Sequence, residues 1–174
     1  MTPEMTVAVQ YQSHLPALLA CIAVTDGPVL ELGVGHFSTP HLHALCGAMG
    51  RLLGSWEDNR EWFEEFRLKY ESKKHWFQCG SYLEAVKVGP DNRGRFGVAF
   101  IDNSPGGEGR SVPFRALIEI SEFVVVHDAQ KDAENFQAVE MMLEGLHWHL
   151  CTGYFPHTLV ASKTRQIPEV LLGM

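Results

Sequence analysis

The chain reads as an α/β protein: a doubly wound, mostly parallel Rossmann-like sheet with helices on both faces and a C-terminal antiparallel hairpin. Three observations predict this. Short apolar runs alternate five times with segments of helical periodicity. The first run, Val29 to Leu32, meets Gly33-Val34-Gly35 and then Ser38-Thr39-Pro40, which is a strand, a tight turn and a helix start. Two strand-like segments joined by a short loop close the sequence.

The elements follow in order. Gln10 to Val24 has helical spacing, with Leu15, Leu18, Leu19 and Ile22 on one stripe; Ser13 is placed to cap it, and Pro16 falls in its first turn. Asp26-Gly27-Pro28 is a turn before the first strand. Ser38 or Thr39 caps the next helix, which Gly50 ends. Arg51 to Trp56 is the second strand. Asp58, with Glu61 three residues on, resembles a capping box. Trp62, Phe63, Phe66 and Tyr70 then form a core-facing stripe.

Trp76 to Cys79 reads as the third strand and Tyr82 to Val86 as a short helix. Pro90 to Gly94 is a turn, and Gly97 to Ile101 is the fourth strand. Asn103 to Arg110 is a glycine-rich loop, followed by a helix from Ser111 to Ile120. Phe123 to Val126 is the fifth strand. A helix from Asp132 to Glu144 carries Phe136, Val139 and Leu143. Leu146–Cys151 and Thr158–Ala161 form the hairpin. The tail past Lys163 carries no readable pattern.

The 174 residues suit a single domain spanning 1–174, with a core from about residue 10 to residue 162. No apolar run approaches a membrane span, and the start lacks a secretory pattern. The four cysteines are scattered without a CxxC, which points to a reducing, cytoplasmic setting. A net charge of −7 with no basic block argues against a phosphate-backbone binder, so no nucleic-acid partner is expected.

In a parallel sheet the ligand sits at the carboxyl ends of the strands. Polar residues gather there: Glu31 to Gly33, Glu57-Asp58, Asp102-Asn103 and His127-Asp128. The glycine turn and following helix N-terminus offer backbone N–H groups to a ligand.

These residues resemble class I S-adenosylmethionine-dependent methyltransferases. Val29-Leu30-Glu31-Leu32-Gly33-Val34-Gly35 with Ser38-Thr39 is similar to the family's first motif. Val98 to Asp102 and Val124 to Asp128 resemble the motifs of the fourth and fifth strands in small O-methyltransferases acting on small molecules and sugars. The resemblance implies S-adenosylmethionine as cofactor and methyl transfer to a small-molecule hydroxyl acceptor. It implies that Glu31, Gly33, Gly35, Ser38 and Thr39 shape the cradle for the methionine part, that Glu57 holds the ribose, and that Gly80-Ser81 lies near the adenine. Asp102 would sit between cofactor and acceptor, with His127 and Asp128 at the acceptor as catalytic groups.

The sequence departs from the family in three places. Phe37 stands for the third glycine, Glu119 to Glu122 replace a Pro-Gly-Gly turn, and Asp128-Ala129 replaces an Asp-Asn pair. The last departure removes an expected magnesium ligand, so no metal is assigned. A zinc site at His147, His149 and His157 is disfavoured for want of cysteine or acidic partners. Tyr11 and His14 belong to a segment that could cover the cofactor. Other readings stay open: a non-catalytic nucleotide-binding protein, an NAD-dependent oxidoreductase, and a site completed by a second copy in a homodimer.

Overall fold

The computed structural model describes residues 12–87, 95–130 and 134–174. Seven strands form one sheet: β1 (Val29–Leu32), β2 (Leu53–Glu57), β3 (His75–Cys79), β4 (Phe96–Ile101), β5 (Ser121–Val126), β6 (His147–Cys151) and β7 (Thr158–Ser162). Their spatial order is β3-β2-β1-β4-β5-β7-β6. The first five are parallel, and β7 runs antiparallel to both neighbours. After β3 the chain returns to the far side of β1, so the order reverses between β1 and β4, where a crevice opens.

The helices are α1 (Leu15–Ala23), α2 (Thr39–Met49), α3 (Arg60–Tyr70), α4 (Tyr82–Ala85), α5 (Glu108–Ile120) and α6 (Glu134–Glu140). Strand side chains alternate between the two faces, and this sets the two largest clusters of the core on opposite faces. Val29, Val98, Phe100, Phe123 and Val125 meet Leu18, Ile22, Leu42 and Cys46 of α1 and α2. Leu30, Leu32, Ile101, Val124 and Val126 meet Phe114 and Leu117 of α5 and Phe136 and Val139 of α6. Glu31 lies on the Val29 face and is wholly buried there.

The tail is part of this packing. Leu171 is fully buried, and the Met174 carbonyl accepts from the N–H groups of Thr152 and Gly153. Among the described residues no helix is long and apolar enough to cross a membrane.

The strand assignments match the sequence reading within one or two residues. The caps do not. Asn59, not Asp58, caps α3, its side chain accepting from the N–H groups of Glu61 and Trp62. Asp58 instead accepts from the Tyr82 hydroxyl at 3.2 Å. Neither Ser38 nor Thr39 caps α2 through its side chain, although Pro40 does sit in the first turn. Gly50 ends α2 in the left-handed region, as expected. Ser13 does not cap α1; His14 holds that position without a side-chain bond.

Arg51 precedes β2 and is buried, donating to the carbonyls of Ile22, Thr25 and Gly27. Arg110 lies inside α5, not in the loop before it. Pro113 in the same helix has no N–H for the Gly109 carbonyl four residues back. The Asn103 amide donates to that carbonyl at 3.0 Å and keeps the turn intact. The expected turn over 90–94, residues Gln10 and Tyr11, and the first two residues of the expected helix from Asp132 lie outside the described residues.

Candidate active site

Backbone hydrogen bonds carry the ladder one residue past each strand and set the site residues side by side. Gly33 N–H donates to the Trp56 carbonyl at 2.9 Å, Asp102 N–H to Leu32 at 2.8 Å, His127 N–H to Ile101 at 3.1 Å and Gly80 N–H to Glu57 at 3.1 Å. Gly33, Glu57, Asp102 and His127 therefore share one end of the sheet. A cavity of about 620 Å³ opens there, between the turn Val34 to Ser38 on one side and Asp102, Ser104, Arg110, His127 and Asp128 on the other.

Gly33 is required by its backbone. Its φ is +88°, and a Cβ there would stand 2.6 Å from the Asp102 carbonyl oxygen. Gly35 is different. A Cβ on it would meet only Ser38 Oγ at 3.6 Å, and the residue faces the cavity. Thr39 Oγ1 accepts from Gly35 N–H at 2.9 Å and donates to Glu31 Oε1 at 3.0 Å, so it ties the turn to the strand beneath it.

Glu31 never reaches the cavity. Ser55 Oγ donates to its Oε2 at 2.5 Å, and Ser55 Oγ also meets His75 Nε2 at 2.8 Å. Beyond it, His75 Nδ1 lies 3.1 Å from His43 Nδ1. Burial raises the Glu31 carboxyl to about 7, against the hydrogen bonds of Ser55, Ser38 and Thr39 that favour its charge. Burial lowers His75 to about 3, so it stays neutral.

Glu57 sits at the end of β2 with its carboxylate folded inward. Its Oε2 accepts from Val34 N–H at 3.0 Å and its Oε1 from Asn59 N–H at 2.8 Å. Burial raises its pKa in spite of these bonds. Ser81 caps α4, accepting from Leu83 N–H at 3.2 Å. Beside Gly80 lies the indole of Trp56, whose buried Nε1 has no partner, 3.5 Å from where a Gly80 Cβ would stand. Glu57, Gly80 and Ser81 cluster at β2 and β3 and do not line the cavity of Asp102 and His127.

Asp102, His127 and Asp128 come together as a group. His127 is buried, with Nδ1 3.2 Å from Asp102 Oδ1 and 3.8 Å from Asp128 Oδ1. Its Nε2 lies 3.0 Å from Ser13 Oγ. Both ring nitrogens are thus engaged. A carboxylate only accepts, so Nδ1 carries the hydrogen and Nε2 accepts from Ser13 in the neutral ring. Burial alone would raise the Asp102 carboxyl, but the His127 hydrogen bond and the charges of His127 and Arg110 outweigh it, and its pKa falls below the ordinary value.

Asp128 holds a backbone φ of +52°, a region costly for a residue with a side chain. Asn135 helps to hold it there, donating to the Asp128 carbonyl at 3.1 Å and accepting from Gly107 N–H at 2.7 Å.

Three residues were missed in the sequence or given another task. Arg110 donates to the Asn103 carbonyl at 3.0 Å, the His127 carbonyl at 2.5 Å and Asp102 Oδ1 at 3.1 Å, and so clamps the ends of β4 and β5. The available signal was a cation in the first turn of a helix, where the dipole disfavours it. Trp62, expected in the core, is 39% exposed and forms part of the cavity wall with His36 and Phe37. His14 is buried against Phe100 and His127, with ring centroids 4.8 and 4.6 Å away. Among the described residues His147, His149 and His157 form no converging ligand set.

The strand order with an antiparallel β7 and a glycine turn after β1 defines the class I methyltransferase fold, and solved structures agree. A methyltransferase from Podospora anserina, solved with S-adenosylhomocysteine bound, matches with a TM-score of 0.65 at 13% identity, over 85% of this chain and 77% of that one. Human methyltransferase-like protein 13, also in complex with S-adenosylhomocysteine, matches at 0.62 and 13%, over 92% and 87%. An rRNA methylase from Streptococcus thermophilus matches at 0.59 and 8%, over 88% and 97%. No protein-family model and no curated protein sequence matches the chain.

Proposed function

We propose that the protein is a methyltransferase that binds S-adenosylmethionine along the turn after β1 and methylates an oxygen of a small acceptor held over Asp102, His127 and Asp128. The observation that carries this reading is the Asp102–His127 pair, which opens onto a cavity whose opposite wall is the Val34–Ser38 turn. S-adenosylmethionine, when bound, supplies a methyl group on a positively charged sulfur. The residues present fit such a group. Gly35 leaves open space at the turn, and Trp56 Nε1 offers an unused donor beside Gly80, where an adenine nitrogen would accept.

Glu57 would accept from the ribose hydroxyls chiefly through Oε2, which has one protein donor and a further lone pair, whereas Oε1 accepts from both Asn59 N–H and, at 3.4 Å, the Tyr82 hydroxyl. Ser38 borders the cavity and would meet the methionine part. Gly33, Thr39 and Glu31 would act from beneath, by holding the turn in shape. Asp102 and Asp128 face the cavity and would orient the acceptor hydroxyl. With Nδ1 bound to Asp102, His127 would take the acceptor proton at Nε2, the atom that the Ser13 hydroxyl now occupies. Positioning of the two reactants would supply most of the rate.

The aromatic wall of His36, Phe37 and Trp62 suits a small acceptor with an apolar face. The charge of −7 supports the same choice over a nucleic acid. Four unpaired cysteines support a cytoplasmic setting, and a second copy covering the open cavity is the expected form of any dimer.

The test is transfer of labelled methyl from S-adenosylmethionine to a panel of small hydroxyl compounds, with structured RNA in parallel. Transfer to a small compound, lost in His127→Ala, is the expected result. Transfer to RNA alone would overturn the acceptor class. Binding without transfer to any acceptor would favour a non-catalytic cofactor-binding protein.

A further inference from the structure

We infer that His14, Asp102 and His127 form a binding site for a divalent transition-metal ion in the acceptor half of the cavity. One ligating atom from each lies within 4.8 Å of the other two, the only such set of histidine, cysteine or carboxylate side chains among the described residues. The Asp102 Oδ1–His127 Nδ1 edge is 3.2 Å. A tetrahedral ion with bonds of about 2.0–2.1 Å sets its ligand atoms about 3.3 Å apart, so this edge already has the required length.

His14 itself calls for a ligand. It is 2% exposed and borders the cavity, yet neither ring nitrogen has a hydrogen-bond partner. Buried polar groups are nearly always partnered, and an ion in the cavity would engage this one.

The surroundings are those of a metal site. A ligating histidine ordinarily donates its other N–H to an oxygen, and Ser13 Oγ stands 3.0 Å from His127 Nε2. Arg110 fixes the Asp102 carboxylate at 3.1 Å and lies 3.5 Å from Asp128 Oδ2, so the two acids keep a local negative balance without an ion. Two imidazoles and a carboxylate suit zinc, cobalt or nickel better than the hard magnesium ion, which prefers an all-oxygen shell. A fourth position would face the cavity and take an acceptor oxygen. With the ion bound, His127 acts as ligand at Nδ1 in place of proton acceptor at Nε2.

The experiment is calorimetric titration of the full chain with Zn²⁺ and Co²⁺, with Mg²⁺ in parallel and the visible spectrum of the cobalt form recorded. One equivalent should bind, with the intense cobalt absorption of a low-coordinate site. His14→Phe keeps the ring packing and removes both nitrogens; it and Asp102→Asn should each weaken Zn²⁺ binding at least about 10-fold. The double variant His147→Gln, His149→Gln should bind as the unaltered chain does. If His14→Phe does not fold by circular dichroism, His14→Ala carries the same test. Absence of saturable binding, Mg²⁺ binding as tight as Zn²⁺, or a folded His14 variant with unaltered affinity would overturn the inference.

Discussion

The imidazole of His127 is held between Asp102 Oδ1, 3.2 Å from its Nδ1, and Ser13 Oγ, 3.0 Å from its Nε2. A buried ring so fixed has one tautomer when neutral, with its basic lone pair on Nε2. His127→Ala should lower turnover about 10²–10⁴-fold, the range for a lost general base. Cofactor affinity should change little, because the proposed function sets His127 at the acceptor and not at the cofactor. Calorimetry alongside steady-state rates checks this, and parallel loss of both would make His127 structural.

Gly33 and Gly35 should part company. Gly33→Ala forces a Cβ against the Asp102 backbone at a positive φ. Strain and overlap together should cost on the order of 2–4 kcal/mol in urea unfolding. Gly35→Ala should leave stability within about 0.5 kcal/mol, since nothing stands within 3.4 Å of its Cβ. It should still weaken cofactor binding, because Gly35 borders the cavity where the proposed function sets the cofactor. Equal stability losses would contradict this division.

Glu31 should make stability depend on pH. Its folded value of about 7 lies above the ordinary carboxyl value of 4.5, so the folded chain holds the proton more tightly. That contribution is full below about pH 4.5 and is lost as pH rises through about 7. Glu31→Gln imitates the protonated form and keeps hydrogen bonds with Ser55 and Thr39. Relative to the unaltered chain, its stability should gain on the order of 3 kcal/mol between pH 5 and pH 8. Urea midpoints that keep a constant gap at both pH values would contradict the assignment.

Arg110→Gln should destabilise the chain by about 2–4 kcal/mol, leaving two carbonyls and the Asp102 carboxylate short of donors. Asp102 is itself 26% exposed, which moderates the loss. Arg110→Lys should recover only part of it, because an ammonium cannot reach three acceptors in the fork geometry. Full recovery with Lys would mean that charge alone matters.

The sheet was legible because buried parallel strands are apolar runs, and Val29–Leu32 and Phe123–Val126 have no competing helical reading. The polar residues at the strand ends were legible for the same reason, since each stands where a run stops. What failed were assignments of local bonds to side chains with more than one use. Ser13 has a capper's position but bonds to a residue far along the chain. Asp58 and Asn59 are both good caps, and only the turn geometry chose Asn59. Trp62 belongs to the apolar stripe by spacing, but lies at its cavity edge. Arg110 could not be placed before knowing that three acceptors meet at its fork, and the His14 cluster exists only once α1 is folded over β4.

Calorimetric titration of the full chain with S-adenosylmethionine, S-adenosylhomocysteine and NAD decides which cofactor the protein holds. The expected result is saturable binding of the first two, at least about 10-fold weaker in Glu57→Ala, and no binding of NAD. Absence of binding to either sulfur cofactor, or binding of NAD in their place, would contradict the account.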